Sequence, residues 1–149
     1  MIEAIRDYLA LLEAPREAED DRLQALAEVL DRLAFAYHRT PETSVEDAAD
    51  PPEAAPYRQR REAAVRAFPN FGFYTGMKAL DRHPPPEESV GDAIDDLAEL
   101  AIELQQIRWR WENNGPEDAA WHFRFGYRSH WGRHLHDLRR YVHAQQFGG

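Results

Sequence analysis

Apolar residues recur at helical spacing along most of the chain. Near the N-terminus, isoleucines and leucines occupy positions 2, 5, 9 and 12, and Pro15 closes this first segment. A leucine-rich stripe with the same spacing runs through residues 17–38. Repeats of three and four residues bring apolar side chains to one face of a helix. The pattern therefore predicts two helices joined by a short break at Pro15.

Residues 40–56 interrupt this pattern. They are rich in proline and acidic residues and have no apolar period, which predicts an exposed acidic loop. A short basic helix is predicted over residues 57–68 and is closed by Pro69. The aromatic segment 69–74 comes next. Because loops are normally polar, we expect this segment to fold back onto the core or, alternatively, to form the lip of a ligand site.

Two long helices are predicted in the C-terminal half. The first runs over about residues 87–112 behind the stiff proline spacer 84–86, and the second runs over about residues 117–146. An Asn-Asn-Gly-Pro stop and restart signal at 113–116 separates them. The sequence thus predicts one all-α domain, an up-and-down bundle of four long helices plus short helical pieces.

Composition narrows the class of function. The 149 residues include 27 acidic and 18 basic side chains, for a formal net charge of -9, and no cysteine. Without cysteine there is no disulfide, thiolate metal site or cysteine nucleophile. The acidity argues against a nucleic-acid partner, because such binding needs clustered positive charge. With no long apolar run and no visible secretory signal, we expect a cytoplasmic protein that does not enter membranes.

Acidic and histidine side chains provide the candidate chemistry. The predicted helix over 87–112 has an apolar stripe that begins with Val90, and its acidic residues lie to one side of that stripe. The next helix carries His130 and His134, spaced i and i+4 on its apolar face. If both histidines converge with a carboxylate on one point, they can hold a divalent metal. The candidates for this metal site or polar cluster are His130, His134, Asp95, Asp96 and Glu99.

The alternative interpretation is structural. Both imidazoles would then be core residues, each hydrogen-bonded to a carboxylate or a carbonyl, and no metal would be bound. A proton-transfer role is a third possibility for the same residues. No cofactor is expected from the sequence, and a divalent metal is kept as the alternative.

Aromatic residues are the candidates for a partner surface. All four tryptophans fall between positions 109 and 131. Their simplest role is to fill one end of the core, and the alternative is a surface for a protein partner or for self-association. The ligand or partner candidates are Phe71, Tyr74, Trp109, Trp121 and Trp131.

Four motifs, in order, resemble those of a bacterial family of unknown function, DUF5063. The motifs are Phe68-Pro69-Asn70-Phe71-Gly72-Phe73-Tyr74, Asp95-Asp96-Leu97-Ala98-Glu99, Ala120-Trp121-His122-Phe123-Arg124-Phe125 and His130-Trp131-Gly132-Arg133-His134. The resemblance covers roughly residues 57–143. It departs at Glu99, where the family tends to have aspartate. It implies a small helical bacterial protein and assigns no catalytic residue.

Two functional hypotheses follow from these patterns. The first is a non-enzymatic helical module that binds a protein partner or supports an assembly, based on the tryptophans, the alternating charge blocks and the lack of a complete catalytic set. The alternative is a metal-dependent or acid–base enzyme that uses the histidine and carboxylate cluster. No catalytic residue is assigned, and the first hypothesis makes the protein a non-enzyme.

Overall fold

The computed structural model describes residues 1–13, 18–45, 47–76 and 89–148. Helices dominate these residues, and two short strands lie between the third and fourth helices. In chain order the elements are α1 (Ile2–Glu13), α2 (Glu19–Arg39), α3 (Tyr57–Ala67), β1 (Phe73–Gly76), β2 (Ser89–Asp92), α4 (Ala93–Asn113), α5 (Pro116–Gly126), a π-helical turn (Tyr127–Trp131) and α6 (Gly132–Phe147).

The helices enclose one hydrophobic core. Helix α1 packs against α2 and α4, and α6 packs against the same two helices, so the four form a closed ring. Helix α3 lies outside this ring against α1 and α4. The largest completely buried side chains come from every member of the ring and include Ile5, Leu30, Leu97, Trp131 and Leu135. The predicted all-α bundle is confirmed. No helix in the described ranges is long and apolar enough to cross a membrane.

The predicted last helix is continuous and contains one π-helical turn, at Tyr127–Trp131. Backbone angles remain in the right-handed helical region through Gly126, Tyr127, Trp131 and Gly132, so α5, the π-helical turn and α6 share one course. A Cβ atom at Gly132 would lie 2.2 Å from the carbonyl oxygen of Tyr127. Glycine is therefore required where the helix widens. Periodicity predicted the continuous helix, but it did not reveal the π-helical turn.

A β-hairpin precedes α4 and corrects the predicted start of that helix. Strands β1 and β2 pair antiparallel, with Tyr74 opposite Gly91. The predicted start of this helix at residue 87 is therefore wrong, because residues 89–92 form a strand and α4 begins at Ala93. Val90, expected in the buried stripe of that helix, is 78% exposed. The proline spacer at 84–86 lies outside the described residues.

The described residues of the acidic segment, 40–45 and 47–56, run over the bundle and are hydrogen-bonded to it at defined points. The guanidinium of Arg124 donates to the carbonyl oxygen of Thr40 at 2.9 Å. The side chain of Asn114 donates to the carbonyl oxygen of Ala49 at 2.8 Å. Most of the segment's described side chains are exposed. Its backbone is nevertheless hydrogen-bonded to the helices.

Candidate metal centre

The first turn of α4 is set by its cap. The Asp92 carboxylate accepts hydrogen bonds from the backbone N–H groups of Ile94 and Asp95, at 2.9 and 3.3 Å. Arg61 of α3 pairs with the other oxygen of Asp92 at 2.9 Å. An aspartate cap satisfies N–H groups that lack partners within the helix, and the helix dipole favours carboxylates at this end. The cap thereby determines where the next two acids, Asp95 and Asp96, project.

Asp96 joins three elements of the fold. Its Oδ1 atom lies 2.7 Å from Nδ1 of His134 on α6, and its Oδ2 atom accepts from the hydroxyl of Tyr74 on β1. Only 4% of Asp96 and 8% of His134 is exposed. Since a carboxylate accepts but does not donate, Nδ1 of His134 carries the proton of this hydrogen bond.

The β-hairpin places the Tyr74 hydroxyl beside the Asp96 carboxylate. A Cβ atom at Gly91 would lie only 2.2 Å from the Tyr74 ring, so the ring lies directly across the glycine on the neighbouring strand. Tyr74 also contacts Tyr141 of α6, with ring centroids 5.7 Å apart. Burial, followed by the hydrogen bond to Asp96, raises the pKa of the Tyr74 hydroxyl, which therefore remains a donor.

Asp95 is the third side chain, after Asp96 and His134, with an atom that could bind a metal ion here. Its Oδ1 atom accepts from the hydroxyl of Tyr57 on α3 at 2.5 Å. One potential ligand atom each from Asp95, Asp96 and His134 lies within 4.8 Å of the others. Tyr57 is not among the site residues predicted from the sequence. No local pattern marks it, because it meets Asp95 only through the packing of α3 on α4.

A further carboxylate, that of Asp137, is close enough to feel the charge of Asp96, although Arg140 and Arg133 partly offset the effect. The Asp96 carboxylate is paired with His134, and this hydrogen bond raises the pKa of His134 against the opposing effect of burial. On α6, burial and then the charge of Asp96 raise the pKa of Asp137. The ionised Asp96 carboxylate therefore repels an ionised Asp137. A bound cation would relieve that repulsion.

His130 does not join this set, which corrects the expectation that both histidines converge. Its Nδ1 atom lies 2.8 Å from Oε1 of Glu103, two turns farther along α4 than Asp96. The two imidazoles touch edge to face, with centroids 4.9 Å apart. Each therefore meets its own carboxylate. Glu99 is half-buried and lies outside the Asp95, Asp96 and His134 set.

The aromatic candidates fall into three environments. Trp131 is completely buried and packs on Phe123 at a centroid distance of 4.9 Å, so in this chain it is part of the core. Phe71 and Tyr74 pack against the core from the hairpin side. Trp109 and Trp121 are half-buried.

Comparison with known proteins extends the relationship beyond these motifs. The crystal structure of protein BF1032 from Bacteroides fragilis superposes with a TM-score of 0.76 at 14% identity, covering 99% of this chain and 90% of that one. At this identity the similarity shows the fold alone. None of the curated proteins matches the sequence. The family model described as a domain of unknown function, DUF5063, matches residues 1–147. That span is nearly the whole chain, and the protein therefore belongs to the DUF5063 family.

Proposed function

We propose that this protein binds one divalent transition-metal ion through Asp95, Asp96 and His134. The observation that carries the proposal is the convergence of two carboxylates and one imidazole within 4.8 Å. One imidazole with carboxylate oxygens suits manganese, iron, cobalt or zinc better than calcium or magnesium. The proposal takes up the metal site predicted from the sequence, but with one histidine ligand, His134, in place of two.

The surroundings of the three side chains support binding. Tyr57 and Tyr74 each donate a hydrogen bond to one carboxylate, and partners of this kind orient ligands and restrict their motion. The set lies where α3, the hairpin, α4 and α6 meet, so its members come from rigid elements. Three protein ligands leave coordination positions open for water or a substrate. Catalytic sites have this arrangement, whereas structural metal sites are closed.

Metal titration tests the proposal. Protein purified without an affinity tag and stripped with a chelator should bind cobalt(II) chloride with one-to-one stoichiometry, seen as visible d–d absorption, and zinc chloride by calorimetry. We expect Asp96→Asn or His134→Gln to weaken binding by about 100-fold, since each removes a ligand atom. His143→Gln is the matched control, because His143 is an exposed histidine on the same helix. Substoichiometric binding, or equal weakening in the control, would show that Asp96 and His134 form only a structural pair.

We propose self-association as a second candidate function, in line with the interaction module of the sequence analysis. The outward face of the hairpin favours it: Phe73 and Val90 share that face in the strand register and are 72% and 78% exposed. The two residues are diagonal neighbours in the hairpin, and a second copy of the chain could cover the apolar surface that they share.

Light scattering at increasing protein concentration tests this second candidate. We expect a dimer that the double change Phe73→Ser and Val90→Ser converts to a monomer. Phe35→Ser provides the control, because Phe35 is 60% exposed on α2, away from the hairpin. A monomer at all concentrations would end the case for self-association and leave the metal proposal unaffected.

A further inference from the structure

A cavity of about 240 Å³ lies between the end of α1 and one face of α3. The last two residues of α1 and four residues of α3 line it: Leu12, Glu13, Gln59, Arg60, Ala63 and Arg66. None of them belongs to the proposed metal centre. Two guanidinium groups at one cavity make it a candidate anion site, although the whole chain carries a formal net charge of -9.

The arginines of α3 differ in their partners. Arg58 pairs with Glu62 on the same helix at 3.0 Å, and Arg61 pairs with the aspartate that caps α4. Arg60 instead donates to the neutral side chain of Gln105 on α4, and it forms no ion pair with a carboxylate of the described residues. A guanidinium stays protonated in proteins. Arg60 therefore brings to the cavity a positive charge that none of these carboxylates neutralises.

One hydrogen-bond donor of Arg60 is buried and has no partner among the described residues. This donor is the Nε–H group of the guanidinium. Buried polar atoms are nearly always hydrogen-bonded, so the exception requires an explanation. An N–H group needs an acceptor, and Arg60 itself lines the cavity. An anion bound there would supply both an acceptor oxygen and a counter-charge.

The cavity has a positive and a negative side. On α3, the exposed side chain of Arg66 adds a second guanidinium to that of Arg60. On α1, the exposed Glu13 ends the helix, and the last carbonyl groups carry the negative end of the helix dipole. A bound anion would therefore lie on the α3 side, against the two arginines. Leu12 and Ala63 provide the apolar part of the lining.

The pair of arginines favours a doubly charged anion. A phosphate monoester carries a charge of about -1.5 to -2 at neutral pH, whereas a carboxylate carries a single negative charge. Guanidinium groups bind phosphate oxygens through short, charge-assisted hydrogen bonds with matching geometry. Arg60 and Arg66 together therefore match the charge of a phosphate group better than that of a carboxylate.

We propose that the cavity between α1 and α3 binds a phosphate group, held by Arg60 and Arg66. The buried Nε–H group of Arg60 donates to one phosphate oxygen, and Arg66 closes the exposed side. When the phosphate is part of a small ester, Leu12 and Ala63 contact its organic part. This site is separate from the proposed metal centre and does not depend on it.

Nuclear magnetic resonance with sodium butyl phosphate and with inorganic phosphate tests the site. In chelator-treated protein at constant ionic strength, we expect a saturable shift of the Arg60 Nε–H resonance, assigned by its loss in Arg60→Lys. Sodium butyrate, which has a single negative charge, should bind at least about 10-fold more weakly than butyl phosphate. Tighter binding of butyl phosphate than of inorganic phosphate identifies an ester as the ligand, and equal binding identifies free phosphate. No saturable shift with either phosphate would overturn the proposal.

Variants measured by calorimetry test the two arginines. Arg60→Gln and Arg66→Gln should each weaken butyl phosphate binding by about 10-fold or more, and the exposed position of Arg66 makes its variant the safer one for folding. Glu13→Gln should strengthen binding by about 3-fold, because it removes a like charge from the cavity. Arg58→Gln is the matched control and should leave the affinity unchanged, since Arg58 is an exposed arginine of α3 outside the lining. Unchanged affinity in both Arg60→Gln and Arg66→Gln would refute the assignment.

Discussion

Replacing Asp96 with alanine is expected to lower the free energy of unfolding by about 3 kcal/mol. The change leaves His134 and the Tyr74 hydroxyl without their shared partner in a largely buried setting. Removing one member of a buried pair costs more than the pair contributes, because the other member remains desolvated. Urea unfolding of metal-free protein, followed by circular dichroism, measures the change.

Glu99→Ala is the control for the Asp96 variant. Glu99 is a half-buried acid on the same helix and lies outside the cluster. Its replacement should change the free energy of unfolding by less than about 1 kcal/mol. Equal losses in the two variants would mean that the Asp96 pair has no special role in stability.

The pH dependence provides a further check on the Asp96 pair. Asp96 raises the pKa of His134 in the folded state. The stability gained from a protonated His134 is therefore complete below the ordinary histidine pKa and is lost as the pH rises through the raised value. The difference between wild type and Asp96→Ala should accordingly narrow from mildly acidic to alkaline pH. A difference that widens with pH would contradict the assignment of a charged His134.

Replacing Trp131 with alanine is expected to cost about 4 kcal/mol, because it opens a cavity in the core. Trp131 is the largest completely buried side chain, and its ring packs on Phe123 and Tyr127 at centroid distances of 4.9 and 5.1 Å. Thermal and urea unfolding measure the loss. Trp131→Phe should cost much less, since it retains an aromatic ring and removes an indole N–H that has no partner in the described structure.

Trp121→Ala is the matched control for the Trp131 variant. Trp121 is half-buried on α5 and stacks on Phe125 at 5.0 Å. Because part of its surface already meets solvent, its loss should cost well under the value expected for Trp131. A larger effect at Trp121 would mean that the aromatic core is centred on α5 and not on the π-helical turn.

The two histidines illustrate how far helical spacing could define the candidate site. A spacing of four residues predicts that His130 and His134 share a face, and both do meet α4. Their partners depend on the register between the helices. Asp96 and Glu103 stand two turns apart on α4, so each imidazole reaches a different carboxylate. That register is a property of packing and leaves no signal in either helix alone.

The β-hairpin likewise depends on contacts between separate segments, which the sequence of either strand does not reveal. Residues 89–92 include a glycine and a single β-branched residue, so their strand signal is weak. Their pairing with β1 joins residues well separated along the chain. Nothing in residues 89–92 alone predicts that Gly91 will accommodate the ring of Tyr74, or that Tyr74 will reach Asp96.

The sequence by itself determined the helical class, most helix boundaries and the candidate acids and histidines. Those features depend on spacing within single segments, where the helical period and cap residues act locally. Only the tertiary structure decided that Asp95, Asp96 and His134 converge while His130 pairs with Glu103. It also decided that Tyr57 and the hairpin complete the set. These outcomes depend on how α3, β1 and α6 pack on α4, and such contacts between distant segments are selected by burial of the whole core.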